Sequence, residues 1–254
     1  MKVQRILIFV LASTLFSGVA LAQCVGSETA IFADRDNTLY ESATGALSNG
    51  AGSFIFAGTT LAGEPRRALL HFDVAGTVPA MSTILSARLE LTMTRSLAGT
   101  VDVSVHPALA DWGEGTSVAP MGQGGGAAAT TNDATWLHTF FNTSFWAVAG
   151  GDFGPASATT PVGTNGTYGW SGTTVTADVQ GWLDTPATNY GWVVVADEVT
   201  VPSAKRFGGR ISGSPPVLCV ATQAPSVTQI PTLGEWGLVL MALALAGVAL
   251  RRLR

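Results

Sequence analysis

Three segments of the chain alternate between apolar and polar residues, and this period of two constrains the fold more than any other feature. The alternation runs through residues 68–74, 86–94 and 101–106. In the first segment, Leu70 and the residues two and four positions later share one face, while His71 lies on the other. Because successive side chains of a strand point to opposite faces of a sheet, each segment predicts a half-buried β-strand.

The remaining middle of the chain has the same character. Glycine, proline and small hydroxyl residues separate its apolar runs, as turns require. Further strands are predicted at residues 29–33, 53–57, 191–196, 205–207 and 216–221. One segment differs, since Val179, Trp182 and Leu183 within residues 177–183 are spaced as on one face of a helix. The sequence therefore predicts an all-β fold, an antiparallel jelly-roll-like β-sandwich with one short helical turn.

A secretory signal peptide is predicted at residues 1–22. Two basic residues precede an apolar run at 6–16, and small residues at 20–22 provide a cleavage site before Gln23. A lipoprotein is the alternative, because Cys24 follows closely. Gln23 fits that alternative poorly, since a small residue is expected directly before a lipidated cysteine. We therefore expect the domain to be exported.

The C-terminal part of the chain predicts a transmembrane helix. Residues 236–250 carry no charge, and three arginines follow within residues 251–254. Such a helix spans about 22 Å, less than the roughly 30 Å hydrocarbon core, but Trp236 and snorkelling arginines extend its reach. Because basic residues favour the cytoplasmic side, the tail is predicted to be cytoplasmic and the domain to lie on the periplasmic or extracellular side. A permanent tail anchor or a buried core helix is the alternative.

A short polar motif precedes this helix, after a linker at residues 223–229. It consists of Ile230, Pro231, Thr232, Leu233, Glu235, Trp236 and Gly237. Residues 230–254 as a whole resemble the IPTL-type sorting signals of Gram-negative bacteria, from which Gly234 departs, since serine is common there. The resemblance implies that an exosortase-type membrane peptidase is a partner and that processing releases the domain to the cell surface.

Charge and length bound what the exported domain, residues 23–222, can do. Without the two terminal segments the chain keeps 8 basic and 16 acidic residues. This balance argues against nucleic acid as a partner, since nucleic-acid recognition needs a basic surface, and more weakly against polyanionic glycans. About 200 residues suffice for one domain with a full core.

Both cysteines fall in the exported domain. Cys24 opens it, and Cys219 lies in the last predicted strand. A disulfide between them would tie the two ends of the domain together, and in the chain-entropy model so long a loop stabilises the fold by roughly 5 kcal/mol. The alternative is two separate thiols.

Several short motifs in the middle region are similar to motifs of a known protein family. They include two arginines at 66–67 that lead into the strand of Phe72, a turn at Pro79, and the sequence Asn-Tyr-Gly-Trp at 189–192. Over about residues 28–221 the chain resembles the DNRLRE family of bacterial extracellular domains. The resemblance implies a jelly-roll β-sandwich, related in some members to carbohydrate-binding modules, and it implies no particular ligand.

Two sets of residues are candidates for ligand binding. Trp112, Trp146 and Trp170 lie in or near a long connection and are candidates for an aromatic glycan platform. The alternative is that these tryptophans anchor the connection to the core. A second set, consisting of Asp34, Asp36 and Asn37, offers the oxygen ligands of a structural calcium ion, although such residues are also common in plain turns.

The basic residues form two further groupings. They are Arg66 with Arg67, and Lys205 with Arg206 and Arg210. These groupings either meet in space and bind an anionic group or pair with the more numerous carboxylates.

The sequence thus favours an exported, membrane-sorted surface or envelope protein without catalytic activity. None of the common catalytic motifs is present, and the three histidines are scattered singly. Its β-sandwich would serve binding or structural roles, with carbohydrate in an exopolysaccharide matrix as the candidate ligand. One alternative is a polysaccharide-acting enzyme with paired carboxylates drawn from Asp111, Glu114 and Asp152. Another is an adhesin or spacer that binds no small ligand.

Overall fold

The structure is a computed structural model, and it describes residues 24–225, 239–243, 245 and 251–252. The chain divides into two compact units, Met1–Gln223 and Ala224–Arg254. The first unit holds the β-strands and all the residues that were predicted to bind a ligand or form the disulfide.

Strands dominate the first unit. In chain order they are β1 (Thr29–Phe32), β2 (Arg35–Tyr40), β3 (Leu47–Ser48), β4 (Phe54–Thr59), β5 (Pro65–His71), β6 (Thr83–Ser96), β7 (Val101–Pro107), β8 (Ala127–Ala128), β9 (His138–Phe140), β10 (Ser144–Phe145), β11 (Ala158–Val162), β12 (Gly166–Ser171), β13 (Trp192–Ala196), β14 (Lys205–Gly208) and β15 (Val217–Gln223). Helices α1 (Val74–Thr77) and α2 (Thr173–Asp184) and a 3-10 helix (Pro186–Thr188) complete the unit.

Eleven of the strands form one antiparallel sheet. Its order is β1-β15-β6-β14-β4-β5-β13-β7-β11, with β12 paired to β6 and β2 paired to β5. Two small sheets, β9 with β10 and β3 with β8, lie outside this path. The prediction of a mostly antiparallel β structure is therefore confirmed.

The large sheet curls around one apolar core. Ile31 of β1 and Val162 of β11, from opposite ends of the strand order, belong to the same buried cluster. The faces that the alternation marked as apolar also point into this cluster, as Leu70, Leu89 and Val103 illustrate. The period of two in the sequence thus identified the inner face of the central strands correctly.

Helix α2 closes one side of this core and is longer than predicted. It runs over 12 residues instead of one short turn, and it buries Val175, Val179, Trp182 and Leu183. Val175 lies one helical turn before Val179, so the apolar face begins earlier than the predicted segment.

A second apolar cluster covers the outer face of the sheet at β2, β5 and β13. Leu69 belongs to it, while the next residue, Leu70, belongs to the main core, and both are fully buried. Trp112, Trp136 and Trp146 of the long connection between β7 and β11 supply most of its bulk. The centre of β5 is therefore buried on both faces. The predicted alternation holds at its end, where half-buried His71 and exposed Asp73 lie between buried Leu70, Phe72 and Val74, although the strand ends at His71 and Val74 begins α1.

A disulfide joins Cys24 to Cys219 across a sequence separation of 195 residues. Cys219 lies on β15, which is paired with β1 on one side and β6 on the other. The predicted bridge is confirmed, and it fixes the chain that precedes β1 to an interior strand of the sheet.

The predicted terminal segments lie wholly or mostly outside the described residues. This holds for the signal peptide at 1–22, the sorting motif at 230–237 and most of the span at 236–250. The described parts of the second unit are helical at 239–243, 245 and 251–252. None of the helices that the structure describes has the length and apolar character that a membrane crossing needs.

A cationic groove as the candidate functional site

The basic residues of the β domain fall into two groups. Five of them form ion pairs with carboxylates: Arg35 with Asp111 (3.2 Å), Arg66 with Glu64 (2.8 Å), Arg67 with Glu198 (2.7 Å), Arg88 with Glu28 and Glu90 (3.1 and 2.8 Å), and Arg210 with Glu114 (2.8 Å). Arg95, Lys205 and Arg206 have no carboxylate partner among residues 24–225. In a domain with twice as many acidic as basic residues, these three cations are the exception.

All three of these cations line one groove with a volume of about 530 Å³. We call it the cationic groove. It lies beside β4, β6 and β14, between the turn at residues 60–64 and the glycine-rich loop at residues 120–126. Arg66 also lines it, but Glu64 balances the charge of Arg66.

Two of the arginines lie directly opposite each other on neighbouring strands. Arg95 of β6 and Arg206 of β14 are register partners. Burial, and then the positive charge of Arg95, lowers the pKa of the Arg206 guanidinium. Like charges opposite each other on paired strands destabilise a sheet, so the pair carries a cost that a bound anion would relieve.

Arg206 is held in a fixed orientation. Its guanidinium carbon lies 3.9 Å from the centroid of the Phe54 ring, and its Nε donates a hydrogen bond to Thr94 Oγ1 at 3.0 Å. Stacking on an aromatic ring suits the planar guanidinium and leaves its in-plane donors for other partners.

Lys205 is a fully buried cation beside the same groove. Its Nζ donates to Ser96 Oγ at 2.6 Å, to the carbonyl of Ala98 at 3.1 Å and to the carbonyl of Gly99. Burial lowers the pKa of this amine. The hydrogen bonds satisfy its three donors, while its charge adds to the positive potential of the groove.

The rest of the groove lining is largely apolar. Phe56 contributes from β4, whose neighbouring Ile55 belongs to the core, so Phe56 lies on the outer face. Leu61, Leu97 and Met121 add exposed apolar surface, and Met121 is 98% exposed. The groove thus combines cationic groups with apolar surface, a lining that suits a ligand with both anionic and apolar parts.

The glycine-rich loop is fixed at its centre by Gln123. The Gln123 side-chain oxygen accepts hydrogen bonds from Asn49 Nδ2 at 3.2 Å and the Phe54 amide at 3.0 Å. Its carbonyl accepts one from Tyr40 Oη at 2.8 Å, and Arg66 Nε donates to the Gly124 carbonyl at 3.3 Å. These contacts hold the loop as a wall of the groove.

The three tryptophans predicted to form a glycan platform are buried instead. Trp112 and Trp170 are fully buried, and Trp146 is 5% exposed. The indole N–H of Trp112 donates to the Tyr190 carbonyl at 2.8 Å, that of Trp170 to the Val103 carbonyl at 2.7 Å, and that of Trp146 to the Thr135 carbonyl at 2.8 Å. Because no ring face is open to a sugar, the platform prediction on these residues is wrong, and they act as core anchors.

The three residues predicted to bind calcium do not converge on one point. Asp36 and Asn37 are neighbours on β2, so their side chains point to opposite faces. Asp34 Oδ1 lies 2.6 Å from His71 Nδ1, and Asp36 accepts a hydrogen bond from the Arg210 amide. Asn37 Oδ1 accepts from Thr38 N, Ser48 Oγ and Asn49 N at 2.7–3.1 Å. These oxygens serve the fold.

The candidate catalytic carboxylates each have a separate structural partner. Asp111 pairs with Arg35, and both oxygens of Glu114 accept hydrogen bonds from Arg210. Asp152 accepts from the amides of residues 147 and 148 at 2.7 and 2.8 Å. Such bonds hold each carboxylate in a fixed orientation, as structural roles require.

Sequence reasoning identified part of this groove. It offered Arg66, Arg67, Lys205, Arg206 and Arg210 as a possible meeting point of cations, and of these Arg66, Lys205 and Arg206 line the groove. The alternative, pairing with carboxylates, holds for Arg66, Arg67 and Arg210. Arg95 was missed, because nothing local marks an exposed arginine at the end of a strand.

Comparison with known proteins adds information about the C-terminal segment. No curated protein sequence matches the chain. Residues 228–254 match the family model described as the IPTL-CTERM motif. This match supports a C-terminal sorting signal of the type that an exosortase processes in exported, surface-associated proteins.

Proposed function

We propose that this chain is an exported bacterial surface or envelope protein with a non-catalytic binding domain. The match of residues 228–254 to the IPTL-CTERM motif carries the sorting part of the proposal. In this scheme a signal peptide exports the chain, the C-terminal helix inserts into the membrane, and an exosortase-type membrane peptidase processes the tail. The domain then lies outside the cytoplasm or is released to the cell surface.

The β domain is proposed to be a DNRLRE-type jelly-roll sandwich. An antiparallel sheet that curls around one core, with a helix against it, is compatible with such a fold. The disulfide supports export, because disulfides persist in oxidising compartments.

Carbohydrate of an exopolysaccharide matrix is the proposed ligand, and the cationic groove is the proposed site. The groove supports this role because it gathers the three basic residues that have no carboxylate partner among residues 24–225, and places them beside exposed apolar surface. The partners of Asp111, Glu114 and Asp152 favour a binding protein over a polysaccharide-acting enzyme. An adhesin or spacer without a ligand would have no use for such a groove.

Binding is tested with the purified full-length protein on an array of neutral and acidic glycans. We expect reproducible binding to at least one polysaccharide, which Leu61→Ala weakens. Leu109→Ala, which removes an exposed leucine outside the groove, is the matched control. Silence across the array from a well-folded protein would contradict the binding role. Adding calcium or EDTA in parallel tests the predicted calcium ion.

Sorting is tested with Pro231→Ala in a host that carries an exosortase-type peptidase. We expect the unmodified protein to lose its tail, as intact mass shows, and the variant to keep the tail in the membrane fraction. Pro225→Ala changes a proline outside the matched residues and serves as the control. Equal processing of both variants would contradict the assigned role of the motif.

A further inference from the structure

We propose that the cationic groove binds an acidic polysaccharide, whose uronate carboxylates contact Arg95 and Arg206 while the sugar C–H faces pack on the apolar lining. This inference rests on the proposed carbohydrate-binding function and specifies the class of ligand. It differs from the expectation that the composition gives, since an acidic domain argues against polyanions.

The distribution of charge is the first step. The domain has enough carboxylates to pair with every cation, yet within the described residues 24–225 Arg95, Lys205 and Arg206 have no carboxylate partner, and all three line one groove. Arg95 and Arg206 are cross-strand partners, an arrangement that costs stability unless an anion lies between them. A carboxylate in the groove is the group that would balance these charges.

The orientation of the donors is the second step. Arg206 is locked by Phe54 and Thr94, and in the described part of the chain its two terminal nitrogens make no hydrogen bond. Arg95 is exposed and makes no side-chain hydrogen bond to the described residues. Guanidinium groups bind carboxylates through two parallel N–H···O bonds, so these donors match a uronate.

The apolar lining is the third step, and it distinguishes a sugar chain from a simple ion. The exposed side chains of Leu61, Leu97 and Met121 would remain unused if the ligand were an inorganic anion. A groove of about 530 Å³ has room for several sugar rings, whose C–H faces pack against such side chains. The combination of carboxylates and apolar ring faces is the chemistry of a uronate polymer.

The test compares oligogalacturonate with its fully methyl-esterified form, and adds oligomannuronate as a second uronate. Binding to the full-length protein is measured by calorimetry in 50 and 500 mM salt. We expect at least one uronate to bind, the ester to bind at least about ten-fold more weakly, and higher salt to weaken binding to the acid. Arg95→Gln and Arg206→Gln should each weaken uronate binding by about ten-fold or more.

Arg88→Gln is the matched control, because it removes the same charge from an ion pair outside the groove. Melting curves of all variants establish that they are folded. Equal binding of acid and ester, or binding of neutral glycans alone, would overturn this inference and leave the proposed function intact. Equal losses in the Arg88 and Arg206 variants would also overturn it. Arginine-dependent binding to phosphatidylglycerol vesicles, without uronate binding, would assign the groove to a membrane surface instead.

Discussion

Asp36 is a buried carboxyl group whose proton affinity depends on its surroundings. It is 1% exposed on β2. Burial raises its pKa to about 7, the nearby charge of Glu114 acts in the same direction, and the hydrogen bond from the Arg210 amide opposes both. Because the unfolded chain releases this proton near pH 4, the folded protein holds one extra proton between about pH 4 and 7.

The consequence is a loss of stability as pH rises through this window. The sign follows from linkage, since stability falls with pH wherever the native state binds more protons than the unfolded state. Asp36→Asn keeps the shape without the charge, so we expect the variant to exceed the natural protein in stability at pH 8 by on the order of 4 kcal/mol, and to match it near pH 4. Urea unfolding at pH 4, 6 and 8 measures this difference.

Asp102→Asn provides the control for that series, because Asp102 is exposed on β7. It should leave the difference between pH 4 and pH 8 unchanged. Parallel stability curves for Asp36→Asn and the natural protein would contradict the assignment of the protonated carboxyl to Asp36.

Trp112 gives a second prediction for a single residue. It is fully buried in the second apolar cluster, its indole N–H donates to the Tyr190 carbonyl, and the Arg35 guanidinium lies 4.9 Å from its ring centroid. Trp112→Ala should therefore destabilise the fold by roughly 3–5 kcal/mol. Trp112→Phe should destabilise it less and leave glycan binding unchanged, as array binding and urea unfolding would show. If Trp112→Phe lost glycan binding while keeping the stability of the natural protein, Trp112 would belong to the ligand site.

The role of the three tryptophans could not be predicted from the sequence alone. A tryptophan in a long connection is compatible with a ligand platform and with a core anchor, and the local sequence is the same in both cases. The deciding contact for Trp112 is with Tyr190, 78 positions away. Such a distant contact leaves no local pattern.

At the scale of elements, the strands were predictable where only one face is buried. The predicted faces of β6 and β7 are the observed ones, because period two carries that information directly. The β5 strand was less predictable, since both of its faces are covered and its centre reads as a continuous apolar run. The covering layer consists of loops fixed by hydrogen bonds between distant residues, which no periodicity encodes.

The glycine-rich loop beside the groove offers a prediction at this scale. Gln123→Ala removes the acceptor of two hydrogen bonds and leaves the Asn49 amide and the Phe54 N–H short of a partner. We expect faster hydrogen exchange in residues 121–126 and weaker ligand binding. Met121→Ala alters an exposed side chain of the same loop and should leave exchange unchanged. Unchanged exchange in the Gln123 variant would contradict its role in fixing the loop.

At the scale of the whole molecule, composition hides the feature that matters for binding. The domain is acidic overall, and five of its eight basic residues form ion pairs with carboxylates. The other three have no such partner among the described residues and line the cationic groove together. Net charge predicts long-range attraction and solubility, whereas a groove is governed by the charges within a Debye length of about 8–10 Å. The sequence supplied the residues of the groove, and only the fold assembled them.

The disulfide gives the last prediction, because it acts on the whole domain. It closes a loop of almost the full domain length and anchors the start of the chain to β15. In the chain-entropy model the double variant Cys24→Ser, Cys219→Ser loses about 5 kcal/mol at most, and a compact unfolded state reduces that figure. Urea unfolding measures the loss. A reductant should reproduce it in the natural protein and leave the double variant unaffected, whereas a natural protein whose cysteines are alkylated without reduction would contradict the bridge.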